Sequence, residues 1–426
     1  MNRTLKGIFI GLLLAVAIAG IGIGIYLIAS DKKDTGAQNP ESPTTSGSQV
    51  RSEKNTASGT VNVGDSDEAK KFESKYSYIK GLIDGVYLNE SDEQKMYDYM
   101  LMGMVASLED PYSVYYTPEE FAALMETTSG SYCGIGTTVS QNMSTKVITV
   151  VQPFVDSPAY KAGLQPGDII VSVDGEDVVG LDIDYVATKM KGEKGTTIRV
   201  GVVRDTEELE FCMVRDEVEV ECVTSKMLDD NIGYINILQF YELTSSQLEK
   251  EMTGLISQGA ERVIIDLRDN PGGLYDDVVR CLDFFTEKNS LLIYTEDKNG
   301  KREEDYAKND VKFDLPIVIM QNGMSASAAE IFAGTMQHYK KAVILGTQSF
   351  GKGIVQAVYP ILTDGSGVKL TMAKYYIPSG VCIHEIGITP DIEVELEEGL
   401  EKIIPSLREH DNQLDRAIEE VKKIKN

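Results

Sequence analysis

The chain is poor in histidine, with only His338, His384 and His410 among 426 residues. A mechanism that moves protons through imidazole therefore has few candidates. Cysteine is scarce and scattered, at Cys133, Cys212, Cys222, Cys281 and Cys382. An odd number without CxxC spacing argues against a disulfide framework and a zinc site, so neither metal nor cofactor is expected. Basic charge is in deficit as well: 41 Lys and Arg stand against 67 Asp and Glu, a formal net charge of −26. Nucleic acid is thus not an expected partner, because phosphate binding needs clustered cations. The acidity reads instead as a dispersing surface.

What is present begins with an anchor. Gly7 to Ser30 carries no charge and is long enough to cross a bilayer as a helix. Arg3 and Lys6 precede it, whereas Asp31-Lys32-Lys33-Asp34 after it sums to zero. The positive-inside tendency then keeps the N-terminus cytoplasmic and exports everything past residue 30. A cleaved signal peptide competes, but the run is long for one and lacks a small-x-small cleavage site. The expectation is a single-pass anchor in the cell membrane over 1–30, with the globular part on the extracytoplasmic side. Residues 31–68 are rich in Ser, Thr, Gly, Asn and Pro and cannot bury enough surface to fold. They read as a tether with a root-mean-square reach of about 35 Å.

The remainder divides by pattern. Over 69–127, Phe72, Tyr76, Ile79, Leu82, Ile83 and Val86 recur at helical steps, a second run covers Met96 to Leu108, and Pro118 opens a third helix. Over 128–216, short strands (VITVVQ, DIIVSVDG, TIRVGVVR, ELEFCMV) alternate with turns around one helical piece, DIDYVATKMK. From 217 to 395 apolar strands alternate with helices: RVIIDLRD, LPIVIMQ and AVILG are strands, with helices near Tyr275–Phe285 and from Ser325 to Tyr339. That order predicts an α/β core with a mainly parallel sheet. The tail, 396–426, is charged with helical period. The amphipathic stretches at 70–108 and 399–426 are candidate contacts for a homodimer.

The chemistry concentrates in NGMSASAAEIFAG (322–334) and the segment after it. A GxSxG elbow fails, because Ser327 stands where the closing glycine should be. Ser349-Phe350-Gly351-Lys352 matches SxxK in form, but that motif belongs at a helix start and the glycines flanking Lys352 oppose one. A chymotrypsin-like loop fails because Pro271 of DNPGG stands where the serine must be. What remains is a serine at the start of the helix after 315–321, served by a lysine. A hydroxyl needs a base close by, and lysine is one only when burial keeps it neutral. Lys352 lies between Phe350 and Ile354, and in a strand over 352–358 it would share a face with Gln356. Gln356 could aim the amine without adding charge. Spacing hardly separates Ser325 from Ser327, and serines at helix starts are often only caps. His384-Glu385 reads as an ordinary loop pair. Ala328 N–H, with a second N–H from the NPGG loop, could face a developing oxyanion.

Two resemblances join these observations. GLQPGDIIVSVDGE and the loop Cys133-Gly134-Ile135-Gly136 resemble a PDZ domain, in which such a loop holds a terminal carboxylate and a strand edge takes an extended peptide. DLRDNPGG (266–273), SASAAEI (325–331), FGKGIVQ (350–356), YYIPSG (375–380), GITPDI (387–392) and DPYSVYYTPEEF (110–121) resemble, in order, the carboxyl-terminal processing (tail-specific) serine proteases. That resemblance spans about residues 70 to 395. It implies a crotonase/ClpP-like α/β protease core with an inserted PDZ domain. It further implies a serine endopeptidase without metal, with Ser327 as nucleophile, Lys352 as general base and Gln356 orienting the lysine. Ala328 with Gly273, or Gly272, would form the oxyanion hole. Gly134, Ile135 and Gly136 would bind the C-termini of protein or peptide substrates. Lys191 departs from the arginine common at its position in the family. The other class of function these motifs allow is a PDZ scaffold on an inactive core.

Overall fold

Helical spacing of the apolar residues after the tether produces α1 (Asp67–Val86) and α2 (Glu93–Ala106) in the computed structural model. The model describes residues 66–142, 145–400 and 410–424. The expected anchor and nearly all of the tether lie outside that range, and among the described residues no helix is long and apolar enough to cross a membrane. The described residues form two compact units, one of 66–121 with Gln356–Thr371, the other of Ala122–Val355 with the chain from Met372 onward.

In the first of these, Ser66 and Asp92 cap α1 and α2 by accepting Ala69 N–H at 3.2 Å and Lys95 N–H at 3.0 Å. The apolar stripe of α1 stays largely outside: Phe72, Ile79 and Val86 are exposed and no residue of the helix is fully buried. Strand β1 (Val114–Tyr116) follows, and α3 (Pro118–Ser129) starts on a capping box in which Thr117 and Glu120 exchange hydrogen bonds.

The second unit opens with β2 (Ser131–Gly134) and a five-stranded path built from β3 (Thr137–Gln141), β4 (Ile148–Pro153), β5 (Ile169–Val173), β7 (Thr197–Arg204) and β8 (Glu207–Val214). The short α4 (Pro158–Ala162) lies between β4 and β5; β6 (Glu176–Asp177) and α5 (Ile183–Met190) follow β5. Ile148, Ile170, Val186, Ile198 and Val200 form its separate core. Strand β3 is the end strand of the path, paired with β4 on one side. Strand β9 (Asp216–Glu219) pairs with β2 and leads on into the core.

There the apolar runs become β10 (Val223–Leu228), β11 (Ile232–Ile237), α6 (Thr244–Ser257), β12 (Arg262–Asp266), α7 (Tyr275–Leu282), β13 (Leu291–Asp297), β14 (Arg302–Tyr306), β15 (Ile317–Gln321), α8 (Ala328–His338) and β16 (Val343–Gly346). The sheet runs β10-β11-β12-β15-β16 and ends on β19 (Ile392–Glu393), parallel from β11 onward. Ile235, Ile265, Ile319 and Ile344 stand side by side across it. They face Leu248, Val278 and Phe332 of α6, α7 and α8. Burial on both faces explains why these strands read as unbroken apolar runs. The opposite face, with Tyr234, Ile264 and Val318, is covered by Ala417 and Val421 of α9 (Asn412–Val421). The tail helix thus spends its apolar side within its own chain. Strands β17 (Ile354–Pro360) and β18 (Gly367–Tyr376) pair with each other; the end of β18 from Met372 onward pairs with β13, and its 367–369 end pairs with β1.

Candidate active site

Strand β15 delivers the chain to Asn322, and a turn held by Ser325 follows. The Ser325 hydroxyl donates to Leu267 C=O at 2.7 Å and accepts Asn322 N–H at 2.9 Å, so it is committed to the turn and buried. Fixing that turn delays the helix: α8 starts at Ala328 rather than near Ser325, and Ser327 becomes its N-cap residue. Ser327 adopts φ 55° and ψ −117°, a conformation costly for a residue with a Cβ and characteristic of functional turns. Geometry thus separates two serines that spacing could not.

Glu330, three residues into this turn, organises what surrounds it. One carboxylate oxygen accepts both the Ser327 N–H at 2.8 Å and the Lys352 N–H at 2.9 Å. The other accepts Gly351 N–H at 2.7 Å and the Ser349 hydroxyl at 2.5 Å. A single buried side chain therefore ties the serine turn to the lysine loop. Burial pushes the Glu330 carboxyl above its usual range, and these donors, Ser349 first, pull it back. Ser349 also accepts Ile388 N–H at 2.6 Å, so its hydroxyl is structural in the described arrangement.

Lys352 is 5 % exposed. The strand starts at Ile354, so Lys352 sits on the approach to β17 rather than within it. The reason is steric: a Cβ on Gly353 would lie 2.4 Å from His384 N, and one on Gly351 would lie 3.0 Å from Ile386 N. Two glycines let the lysine loop press flat against 384–386. The Tyr375 hydroxyl donates to Lys352 C=O, and Tyr375 N–H to Gly353 C=O. Gln356 is buried, and its side-chain amide reaches Thr371 Oγ1 at 3.4 Å.

The NPGG turn comes off β12. Asn270 donates to Ile237 C=O at 2.7 Å and accepts Gly272 N–H at 2.8 Å, and its carbonyl accepts Ala326 N–H at 3.0 Å. A Cβ on Gly272 would lie 2.7 Å from Ser327 Cβ and 2.9 Å from Ala328 N, so the turn abuts the serine and the helix start. Gly272 N–H is already used by Asn270, which leaves Gly273 N–H as the better donor in this turn. Gly273 adopts φ 143° and passes so close to Phe240 C=O that only glycine fits. Gly273, Ser327, Ala328, Ile331, Ile354 and Tyr375 line one recess. Among the described residues no cluster of His, Cys, Asp and Glu could hold a metal ion.

The residues expected from sequence to bind peptide lie elsewhere in the same unit. The carbonyl of Ile135 accepts Ala159 N–H at 2.7 Å, and that of Gly136 accepts Phe154 N–H at 3.0 Å and the Ser157 hydroxyl at 2.8 Å. Gly134 closes β2 and the loop turns directly into edge strand β3.

Sequence reasoning passed over Glu330, although a glutamate three residues after a serine before an apolar run is itself a helix-start signature. It also passed over Arg268, which binds Asp266 at 2.6 Å and Asp411 at 2.8 Å in a buried cluster. No local signal joins residues 143 positions apart.

A buried serine-and-lysine turn in an α/β core, with a PDZ-like β domain in the same chain, defines a class: a serine peptidase with a peptide-docking module. The comparisons name the family. The Peptidase family S41 model matches residues 231–394, a PDZ domain model 147–204, and the Activating protease CtpB N-terminal domain model 20–120. Carboxy-terminal processing protease CtpA of Bacillus subtilis is 36 % identical over 338 residues, 79 % of this chain and 71 % of that one. CtpB of the same organism is 32 % identical over 400 residues, 93 % of this chain and 78 % of that one. Among solved structures, an S41 protease candidate from Bacteroides fragilis shares the fold at TM-score 0.51 and 16 % identity, over 82 % of this chain and 98 % of that one. The chain belongs to peptidase family S41, and it is a C-terminal processing serine protease with a PDZ domain.

Proposed function

We propose that the protein is a membrane-anchored endopeptidase acting outside the cytoplasm, with Ser327 as nucleophile and Lys352 as general base. The observation that carries this reading is the Glu330 carboxylate, which holds the backbones of Ser327 and Lys352 through one oxygen. The buried lysine takes the serine proton as the hydroxyl attacks the scissile carbonyl, and later returns it to the leaving amine. Ala328 and Gly273 N–H groups receive the oxyanion. Gln356 keeps the orienting role that the family resemblance assigns to it. Substrates dock by their C-termini at Gly134, Ile135 and Gly136 and extend along the free edge of β3. Residues 7–30 supply the anchor, and the exposed apolar stripe of α1 is the surface offered to a second copy in a homodimer.

Ser327→Ala and Lys352→Ala are each expected to lower casein cleavage by at least about 10⁴-fold with unchanged circular dichroism. Full activity in either variant removes the dyad. Ser349→Ala is expected to keep measurable cleavage, since its hydroxyl only braces Glu330 and the 388 loop.

A further inference from the structure

The run Leu267 to Asn270 leads from β12 into the NPGG turn, and three of its residues hold the serine turn. Leu267 C=O accepts the Ser325 hydroxyl at 2.7 Å. Asp269 N–H donates to Asn322 Oδ1 at 3.0 Å, and Asn322 Nδ2 donates back to Asp269 Oδ1 at 2.8 Å. Asn270 C=O accepts Ala326 N–H at 3.0 Å, and its side chain accepts Gly272 N–H at 2.8 Å. The remaining residue, Arg268, sends its side chain to the C-terminal helix. Its buried guanidinium binds Asp266 through Nε at 2.9 Å and Nη2 at 2.6 Å. It binds Asp411 through Nη1 at 3.0 Å and Nη2 at 2.8 Å, and Gln413 Oε1 through Nη1 at 3.0 Å. Asp266, at the end of β12, also accepts the Tyr234 hydroxyl at 2.7 Å. Asp411 is the N-cap of α9 and accepts Gln413 and Leu414 N–H at 3.1 Å each.

Two buried carboxylates thus share one buried guanidinium. Such a cluster is a poor source of stability, because desolvating the ions offsets their attraction. What it supplies is direction, since a planar fork bound on two sides fixes the residue that carries it. We propose that Arg268 and Asp411 are positioning residues for the reaction, clamping the protein's own C-terminal helix to the run that carries the oxyanion turn and holds the serine turn. The inference rests on the reading of Ser327 as nucleophile and Gly273 N–H as oxyanion donor, and deepens it. Releasing the clamp leaves the sheet in place but frees the run between β12 and Gly273, so the donor shifts relative to the serine. A preorganised donor acts only where charge develops in the transition state. The loss therefore falls on kcat and spares KM. Docking of the tail is in this way a condition of activity, set 143 residues away in sequence.

The test uses the full chain in detergent. Asp411→Asn keeps the shape and the capping ability of the side chain and removes only its charge. Arg268→Lys keeps the charge and loses the fork, and so gives a reading independent of the cap. The probes are a fluorogenic, unstructured decapeptide and the peptide aldehyde matching its acyl product, whose adduct with the serine mimics the tetrahedral intermediate. Each variant is expected to lose about tenfold in kcat, part of the 10²–10³ that a whole oxyanion donor is worth. KM should stay within about twofold, and the aldehyde Ki should rise about tenfold in parallel with the fall in kcat. A smaller folded fraction would lower the apparent kcat without moving Ki. Wild-type kcat in both variants, or a fall in kcat with Ki unchanged, overturns the clamp while the Ser327 reading stands. Full activity of Ser327→Ala in the same assay removes that reading, and this inference with it.

Discussion

Glu330 shows how one side chain can hold the backbones of two residues that lie far apart in sequence, Ser327 and Lys352. It accepts four hydrogen bonds, each to a carboxylate and each worth about 1.5–3 kcal/mol in place. Glu330→Gln keeps the shape but turns an NH₂ towards backbone donors that need an acceptor. We expect kcat to fall at least about 100-fold and stability to drop on the order of 3 kcal/mol, read from peptide hydrolysis and a thermal melt. Wild-type kcat in that variant would remove its positioning role. A second buried charge belongs to the other unit. Lys369 on β18 is fully buried, its ammonium 5.5 Å from the Tyr116 ring centroid, with no hydrogen-bond partner for Nζ among the described residues. Burial lowers its pKa to about 8, with Asp110 opposing. A lysine depressed in the folded state stabilises fully above its unfolded pKa of 10.5, and that contribution is lost as pH falls through 8. Lys369→Met is therefore expected to raise the melting temperature at pH 7 and to flatten its dependence between pH 8 and 10, by calorimetry. An unchanged pH profile would count against the buried charge.

At the scale of elements, the proposed catalytic residues sit on turns rather than within helices or strands. The Ser325 turn, the NPGG turn and the 349–353 loop are each locked by hydrogen bonds between side chain and backbone, and the last two also by glycines with no room for a Cβ. Gly353→Ala places a methyl group 2.4 Å from His384 N, so either the lysine loop or 384–386 must move. Because about 1 Å of misplacement costs on the order of 100-fold, this variant should lose that much kcat and yet melt cooperatively. Full activity would show that the loop has slack. The tail is an element of the core in the same sense. Asp411 and Gln413 bind Arg268, while Ala417 and Val421 cover the sheet. Charged with helical period, it read from sequence as a candidate dimer surface, and its apolar side is instead used inside the chain.

For the whole molecule, the division of labour is legible along the chain. Hydropathy marks the proposed anchor, composition the proposed tether, strand and helix periods the two folded parts, and short motifs the proposed chemistry. A version lacking residues 1–65 is expected to fractionate as soluble and still cleave casein. The full chain should sediment with membranes and be degraded by protease added to intact cells. Recovery of the full chain in the soluble fraction would argue against the anchor.

The parallel core was legible because strands buried on both faces must be apolar throughout, as RVIID and IVIMQ are. The candidate lysine was legible because a base flanked by glycines and apolar residues is rare. Two matters were decided only by the tertiary structure. Ser325 and Ser327 are equivalent in spacing and differ in whether a hydroxyl is spent on Leu267, 58 residues earlier. Glu330 gathers donors from Ser327, Ser349, Gly351 and Lys352, a convergence that exists only once β15, α8 and the following loop are packed. Periodicity and motif are properties of neighbours along the chain, whereas hydrogen-bond partners and Cβ clearances are properties of neighbours in space.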